Sequence, residues 1–263
     1  MFQRAGLLIL VCLAFCATFA VAAELYVAAA SNLTFAMPEI VAEFEKDSAH
    51  EIKVSFGSSG NFYSQISNGA PFDLFLSADM EYPRKLVENG KAQSDSLFAY
   101  SRGQIVLWVP HDSPLDIDRL GMKVLTAPAV HKIALANPRH APYGQAALQA
   151  LRHFELYDPV ADKLVYGENI SQAAQFVQLG AADLGVLALS LAVASPLEGK
   201  GRYWIIPPDS YSSIEQGAVI LQAASAKGKL QAAREFWRWL QSPEAIAILD
   251  RHGLARDSMD DAD

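Results

Sequence analysis

What most constrains this chain is the regular exchange of two hydrophobic periods along it. Short apolar runs such as ELYVAAA (24–30), EIKVSFG (51–57) and QIVLWVP (104–110) alternate with stretches whose apolar residues recur every three or four positions. The first kind suits a strand and the second a helix with one buried face. Between Thr34 and Asp47, for example, Phe35, Ile40, Val41 and Phe44 fall at helical spacing. Pro38 lies early in that stretch, where a missing N–H costs least. Residues 61–67 read as the next helix, DLFLSA (73–78) as a strand and EYPRKLVENG as a short helix closed by Gly90. After a break near Ser101–Gly103 the exchange resumes. KIALANP, KLVYGEN, ADLGVLAL, YWIIP and GAVILQ read as strands, and YGQAALQALRHFEL and ISQAAQFVQLG as helices. Two helices, 228–240 and 243–252, end the pattern.

Such alternation requires helices packed on mainly parallel sheets. Two blocks of it, with late elements able to return to the first, predict an α/β protein of two lobes with a cleft between them. Each lobe is expected to be a mainly parallel sheet flanked by helices. The first lobe is placed at 24–103 plus 208–263 and the second at 104–207. Residues 254–263 (LARDSMDDAD) read as a disordered tail.

The first 23 residues stand outside this pattern. MFQR is a short basic start, AGLLILVCLAFCATFAV an apolar core, and VAA a small-residue cleavage site, so a signal peptide cut after Ala23 is expected. Both cysteines, Cys12 and Cys16, lie inside it. Phe15 directly before Cys16 argues against a lipoprotein, because a small residue is wanted there. The exported chain then has no disulfide, thiolate metal site or cysteine nucleophile. The formal net charge is −8, and cleavage removes one arginine and no acid. An acidic chain without a basic cluster is a poor partner for nucleic acid or an anionic membrane.

In open α/β sheets, ligands bind beyond the C-terminal ends of strands, where helices begin. Four stretches occupy those places: Ala30-Ser31-Asn32, Ser58-Ser59-Gly60, Ala141-Pro142-Tyr143-Gly144 and Glu168-Asn169-Ile170-Ser171. They offer backbone N–H groups, hydroxyls and amides, with no lysine or arginine and Glu168 as the only acid. A helix N-terminus carries unpaired donors and about half a positive charge. Four converging ones would balance a small dianion. A donor-only site suits an oxyanion that carries no proton, such as sulfate, molybdate or tungstate, over hydrogen phosphate. The ordinary alternative for FGSSG (56–60) is N-cap chemistry. An enzyme would need a nucleophile and a base, for which Ser59 with His140 is the available pair. The Gly-x-Ser-x-Gly elbow is absent, as are phosphate-loop and dinucleotide signatures. The histidines at 50, 111, 131, 140, 153 and 252 show no metal spacing. His140 is the one nearest the expected cleft.

Four segments, in order, resemble the periplasmic molybdate-binding proteins of ABC transporters: AAASNLTFAMPEI, VSFGSSGNFYSQISNGAPFDLFLSAD, LANPRHAPYGQAAL and YGENISQAAQFVQLGAADLGVLALS. The resemblance covers nearly all of the chain after the leader, up to about Gly253. It implies a two-lobed periplasmic-binding-protein fold of type II and no enzymatic activity or cofactor. It also implies capture of molybdate, with tungstate as a close alternative, by a monomer in the periplasm that delivers to a membrane permease and ATPase. Sulfate is the alternative ligand. By position, the implied oxyanion contacts are Ser31, Asn32, Ser59, Tyr143 and Ile170, metal-binding only in the sense of touching the oxyanion. Tyr143 is implied as a phenolic or N–H donor. Some members carry a tyrosine where this chain has Ala188.

Overall fold

The computed structural model describes residues 22–194 and 197–255. Among the described residues, ten strands form two five-stranded sheets. The first contains β1 (Glu24–Ala30), β2 (Glu51–Gly57), β3 (Leu74–Leu76), β4 (Phe98–Gly103) and β10 (Ile214–Ile220), in the order β2-β1-β3-β10-β4. The second contains β5 (Ile105–Pro110), β6 (Ile133–Ala136), β7 (Leu164–Gly167), β8 (Leu184–Ala188) and β9 (Gly201–Ile205), in the order β7-β6-β8-β5-β9.

One strand in each sheet runs against the others: β10 is antiparallel to β3 and β4, and β5 is antiparallel to β8 and β9. These are the two strands that enter from the opposite lobe. The parallel strands end at the cleft, and a strand arriving across the cleft must start there, so its direction is reversed. β4 is a strand where the sequence suggested a break. Its FAYSRG segment lacks an apolar run and owes its extension to pairing with β10, whose register shifts between Gln216 and Gly217.

The alternation of each central strand is used on both faces. Leu25, Val27 and Ala29 pack with Leu74, Leu76, Ala218 and Ile220 against the helices Ala36–Lys46 and Leu230–Trp239. Ala28, Phe75 and Val219 face the other way, toward Phe62 and Ile66 of the helix Ser59–Ser67. Burial on both faces explains why these strands read as continuous apolar runs. The second lobe has one large core, in which Trp108, Leu135, Val186 and Leu151 are almost completely buried.

The chain joins the core further toward its C-terminus than its composition suggests. Leu254 is buried in the first lobe, and the Ala255 carbonyl accepts the Arg102 N–H. The rest of the expected tail, and the expected leader up to residue 21, lie outside the described residues.

Candidate binding site between the lobes

The four helix starts singled out in the sequence meet at one small cavity. It is lined by Ser31 and Asn32, by Ser58 and Ser59, by Pro142 and Tyr143, and by Asn169 and Ile170. All five expected contact residues are brought together and nearly sealed, Ser31, Asn32, Ser59, Tyr143 and Ile170 being at most 3% exposed. Among the described residues, no lysine, arginine, aspartate or glutamate lines the cavity. Its interior volume is only about 10 Å³, far below the size of an amino acid or sugar site.

Three of the four starts are full helices: Ser59–Ser67, Pro142–His153 and Ile170–Gln178. The fourth is a single 3₁₀ turn, Ser31–Leu33, with too few peptide dipoles to count as a whole helix. Each full helix brings about half a positive charge and its unpaired first-turn donors. Pro142 has no N–H, so Tyr143 supplies the first donor of its helix. Asn169 caps its helix by accepting the Gln172 N–H at 3.0 Å, and the Ile170 N–H is the first donor there.

Ser58 and Ser59 do different work. Ser58 stands at the N-cap position, yet its hydroxyl makes no cap. It bonds His140 Nδ1 across the cleft at 2.9 Å. Ser59 Oγ accepts the Ala78 N–H at 2.9 Å, which orients the hydroxyl and leaves its proton for another acceptor. The Ser59–His140 pair that a hydrolase would need is therefore not formed; the histidine is engaged by the neighbouring serine.

The cleft is held shut on both flanks. On one side the Gly60 N–H donates to the His140 carbonyl at 2.8 Å, and Asn61 Nδ2 donates to the Glu168 carboxylate. A Cβ at Gly60 would stand 2.8 Å from that carbonyl, so glycine is required for this approach. On the other side Ser171 Oγ donates to the Ser31 carbonyl at 2.8 Å and Ser190 Oγ to the Asn32 carbonyl at 2.9 Å. Behind the cavity, Gln216 of β10 is completely buried. Its amide lies 2.9 Å from the Asn32 amide, 2.8 Å from the Tyr100 hydroxyl and 3.0 Å from the Tyr143 hydroxyl. Burial holds the Tyr143 phenol far above its ordinary pKa, so it stays neutral at any physiological pH.

A buried cavity lined by donors, without a cationic side chain, is chemistry for an anion that brings no proton. Comparison with known proteins agrees on the family. Residues 25–255 match the family described as bacterial extracellular solute-binding proteins. The chain is 42% identical over 233 residues to the molybdate-binding protein ModA of Azotobacter vinelandii, covering 88% of this chain and 90% of that one. It is 39% identical over 234 residues to ModA of Rhodobacter capsulatus, covering 89% of each. The chain belongs to the ModA family. The solved structure of the Azotobacter vinelandii periplasmic molybdate-binding protein superposes with a TM-score of 0.81 at 35% identity, over 88% of this chain and 99% of that one. The Mycobacterium tuberculosis sulfate-binding protein SubI, at 17% identity and a TM-score of 0.68 over 89% of this chain and 86% of that one, shares the fold.

In this ModA-family chain Ala188 is buried at the end of β8 and does not line the cavity. Gln216 was not singled out in the sequence; Ser58, His140 and Ser171 were placed at the expected cleft, but the bond between Ser58 and His140 and the reach of Ser171 to the Ser31 carbonyl were not expected. Gln216 had a signal, since it is the polar residue before the apolar run GAVI in β10. The pairing of Ser58 with His140 had none, because it depends on how the two lobes close.

Proposed function

We propose that this protein is the exported binding component of an ABC importer and that it captures molybdate, and also tungstate, in the cavity between the lobes. The observation that carries this reading is the convergence of three helix N-termini and the Ser31–Leu33 turn, from both lobes, on one sealed cavity lined by N–H and hydroxyl donors. In it the Ser31 and Ser59 hydroxyls and the Asn32 amide hold the anion from the first lobe, and the N–H groups of Tyr143 and Ile170 hold it from the second. The helix dipoles supply roughly one and a half positive charges, most of what a dianion needs. Fixed dipoles in a site without bulk water are worth more than the same groups in solution.

The anion touches both lobes, so it binds the closed form better than the open one and shifts the population toward it. The permease of the importer then recognises the closed form. The lobes divide at 103/104 and 207/208, and the protein works as a periplasmic monomer after removal of residues 1–23. No bond of the cargo is made or broken, and no cofactor takes part.

The test is thermal melting of ligand-stripped protein with molybdate, tungstate, sulfate, phosphate and nitrate. A ligand at one hundred times its dissociation constant adds about 2.7 kcal/mol, a rise of several degrees for a chain of this length. Molybdate and tungstate are expected to give it, and sulfate and phosphate to give none. A rise with sulfate alone would overturn the ligand, and no rise with any oxyanion would overturn the site.

A further inference from the structure

The hydrogen-bond geometry around Gln216 points to a role in setting which end of the Asn32 amide faces the cavity. The Tyr100 hydroxyl lies 3.0 Å from the Ser77 carbonyl oxygen and 2.8 Å from Gln216 Oε1. It has one proton and cannot donate to both, so with Oε1 in that place two oxygens face each other without a hydrogen between them. Asn32 Nδ2 donates to the same Oε1, and this leaves Asn32 Oδ1 buried with no partner. A bare carbonyl oxygen on a residue lining an anion site is the wrong charge in the wrong place.

We infer that both amides are exchanged end for end in the working protein, and that Gln216 is the positioning residue that holds Asn32 that way. Gln216 Nε2 then donates one proton to Asn32 Oδ1 and one to Tyr100, whose own proton goes to the Ser77 carbonyl. Gln216 Oε1 accepts the Tyr143 proton. Every group in the network is paired, and the one atom left over is Asn32 Nδ2, a donor in place of the orphaned acceptor. This amide completes the donor set around the anion. Tyr143 spends its phenol on Gln216, so it meets the anion through its N–H. The inference rests on the reading of this cavity as the oxyanion site.

Two measurements on the full chain test it. In the nitrogen-15 spectrum of the molybdate-loaded protein, the Gln216 side-chain NH₂ should give cross peaks to the Tyr100 ring, and the Asn32 NH₂ should shift when molybdate is added. Cross peaks from the Gln216 NH₂ to the Tyr143 ring, with an Asn32 NH₂ indifferent to molybdate, would overturn the inference. Calorimetric titration with molybdate gives the second readout. Gln216→Glu cannot donate to Asn32 Oδ1 and should weaken binding at least about tenfold, while Tyr143→Phe keeps its N–H and should weaken it less. If Gln216→Glu does not fold, Gln216→Met takes its place with the same expectation. Variants that bind as the unmodified protein does would sink the inference and leave the site standing. Unmodified protein that binds no oxyanion would instead remove the site on which it rests.

Discussion

The two halves of the cavity are built on different terms. On the proposed reading the first lobe presents side chains: the buried hydroxyls of Ser31 and Ser59 and the buried amide of Asn32, with Ser59 held by the Ala78 N–H and Asn32 by Gln216. The second lobe presents backbone, the N–H groups of Tyr143 and Ile170 at two helix starts. A backbone donor survives almost any substitution that keeps the helix in place, whereas a hydroxyl is lost with its residue. Identity is therefore demanded on one side of the cleft and geometry on the other. The closing contacts run the other way: the hydroxyls of Ser171 and Ser190 reach from the second lobe to the backbone carbonyls of Ser31 and Asn32, and a first-lobe backbone group, the Gly60 N–H, reaches the carbonyl of His140.

The largest expected effect lies on the side-chain half. Ser59→Ala removes a donor to a charged group, which typically contributes about 1.5–3 kcal/mol, and it also strips the acceptor from the Ala78 N–H. Molybdate affinity measured by calorimetry should fall by tenfold or more. Unchanged affinity would mean that the hydroxyl faces no ligand.

The backbone half is probed by a substitution that removes an N–H and little else. Ile170 is the first residue of its helix, where proline is well tolerated, and Asn169 before it is extended (φ −148°, ψ 177°), as proline prefers. Ile170→Pro should weaken binding by about 1.5–3 kcal/mol. Ile170→Ala keeps the N–H; it should lower the melting temperature through lost core packing while leaving affinity close to that of the unmodified protein. If alanine weakens binding as much as proline does, the side chain matters and the contrast between the halves fails.

The smallest effect concerns a charge in the first lobe near the cleft. Burial raises the Asp79 carboxyl above its ordinary value, against the hydrogen bonds that it accepts from the Tyr82 N–H and the Ser77 hydroxyl. The folded state therefore favours the protonated form. Its contribution to stability is greatest below the unfolded pKa and is lost as pH rises through the folded one. Asp79→Asn should raise the melting temperature slightly at neutral pH, with the gain vanishing at acid pH where the aspartate is already neutral. A gain that persists unchanged at low pH would have another origin.

Much of this arrangement could be read before folding, because it depends on local rules. Strand and helix follow from hydrophobic periods, Pro142 and Asn169 mark helix starts by their own chemistry, and Ser31, Asn32, Ser59, Tyr143 and Ile170 lie at the turns where an α/β sheet leaves its N–H groups unpaired. β4 was missed for the complementary reason: FAYSRG has little strand character of its own and becomes a strand only when β10 returns from the other lobe to pair with it. The chain stays in the core as far as Leu254, beyond where its composition suggests a tail, because nothing local to Leu254 announces the core that covers it.

Some of the site belongs to the tertiary structure alone. Ser58 looked like a helix cap and is a bridge to His140; Ser59 and His140 looked like a possible catalytic pair and are not bonded; Gln216, far from every motif, joins Asn32 of one lobe to Tyr143 of the other. These contacts link residues between 73 and 184 positions apart. Periodicity and capping act within a few residues along the chain, so they determine which donors stand at which helix starts. Which hydroxyl meets the anion, and which meets the other lobe, is decided only when the two sheets close on each other.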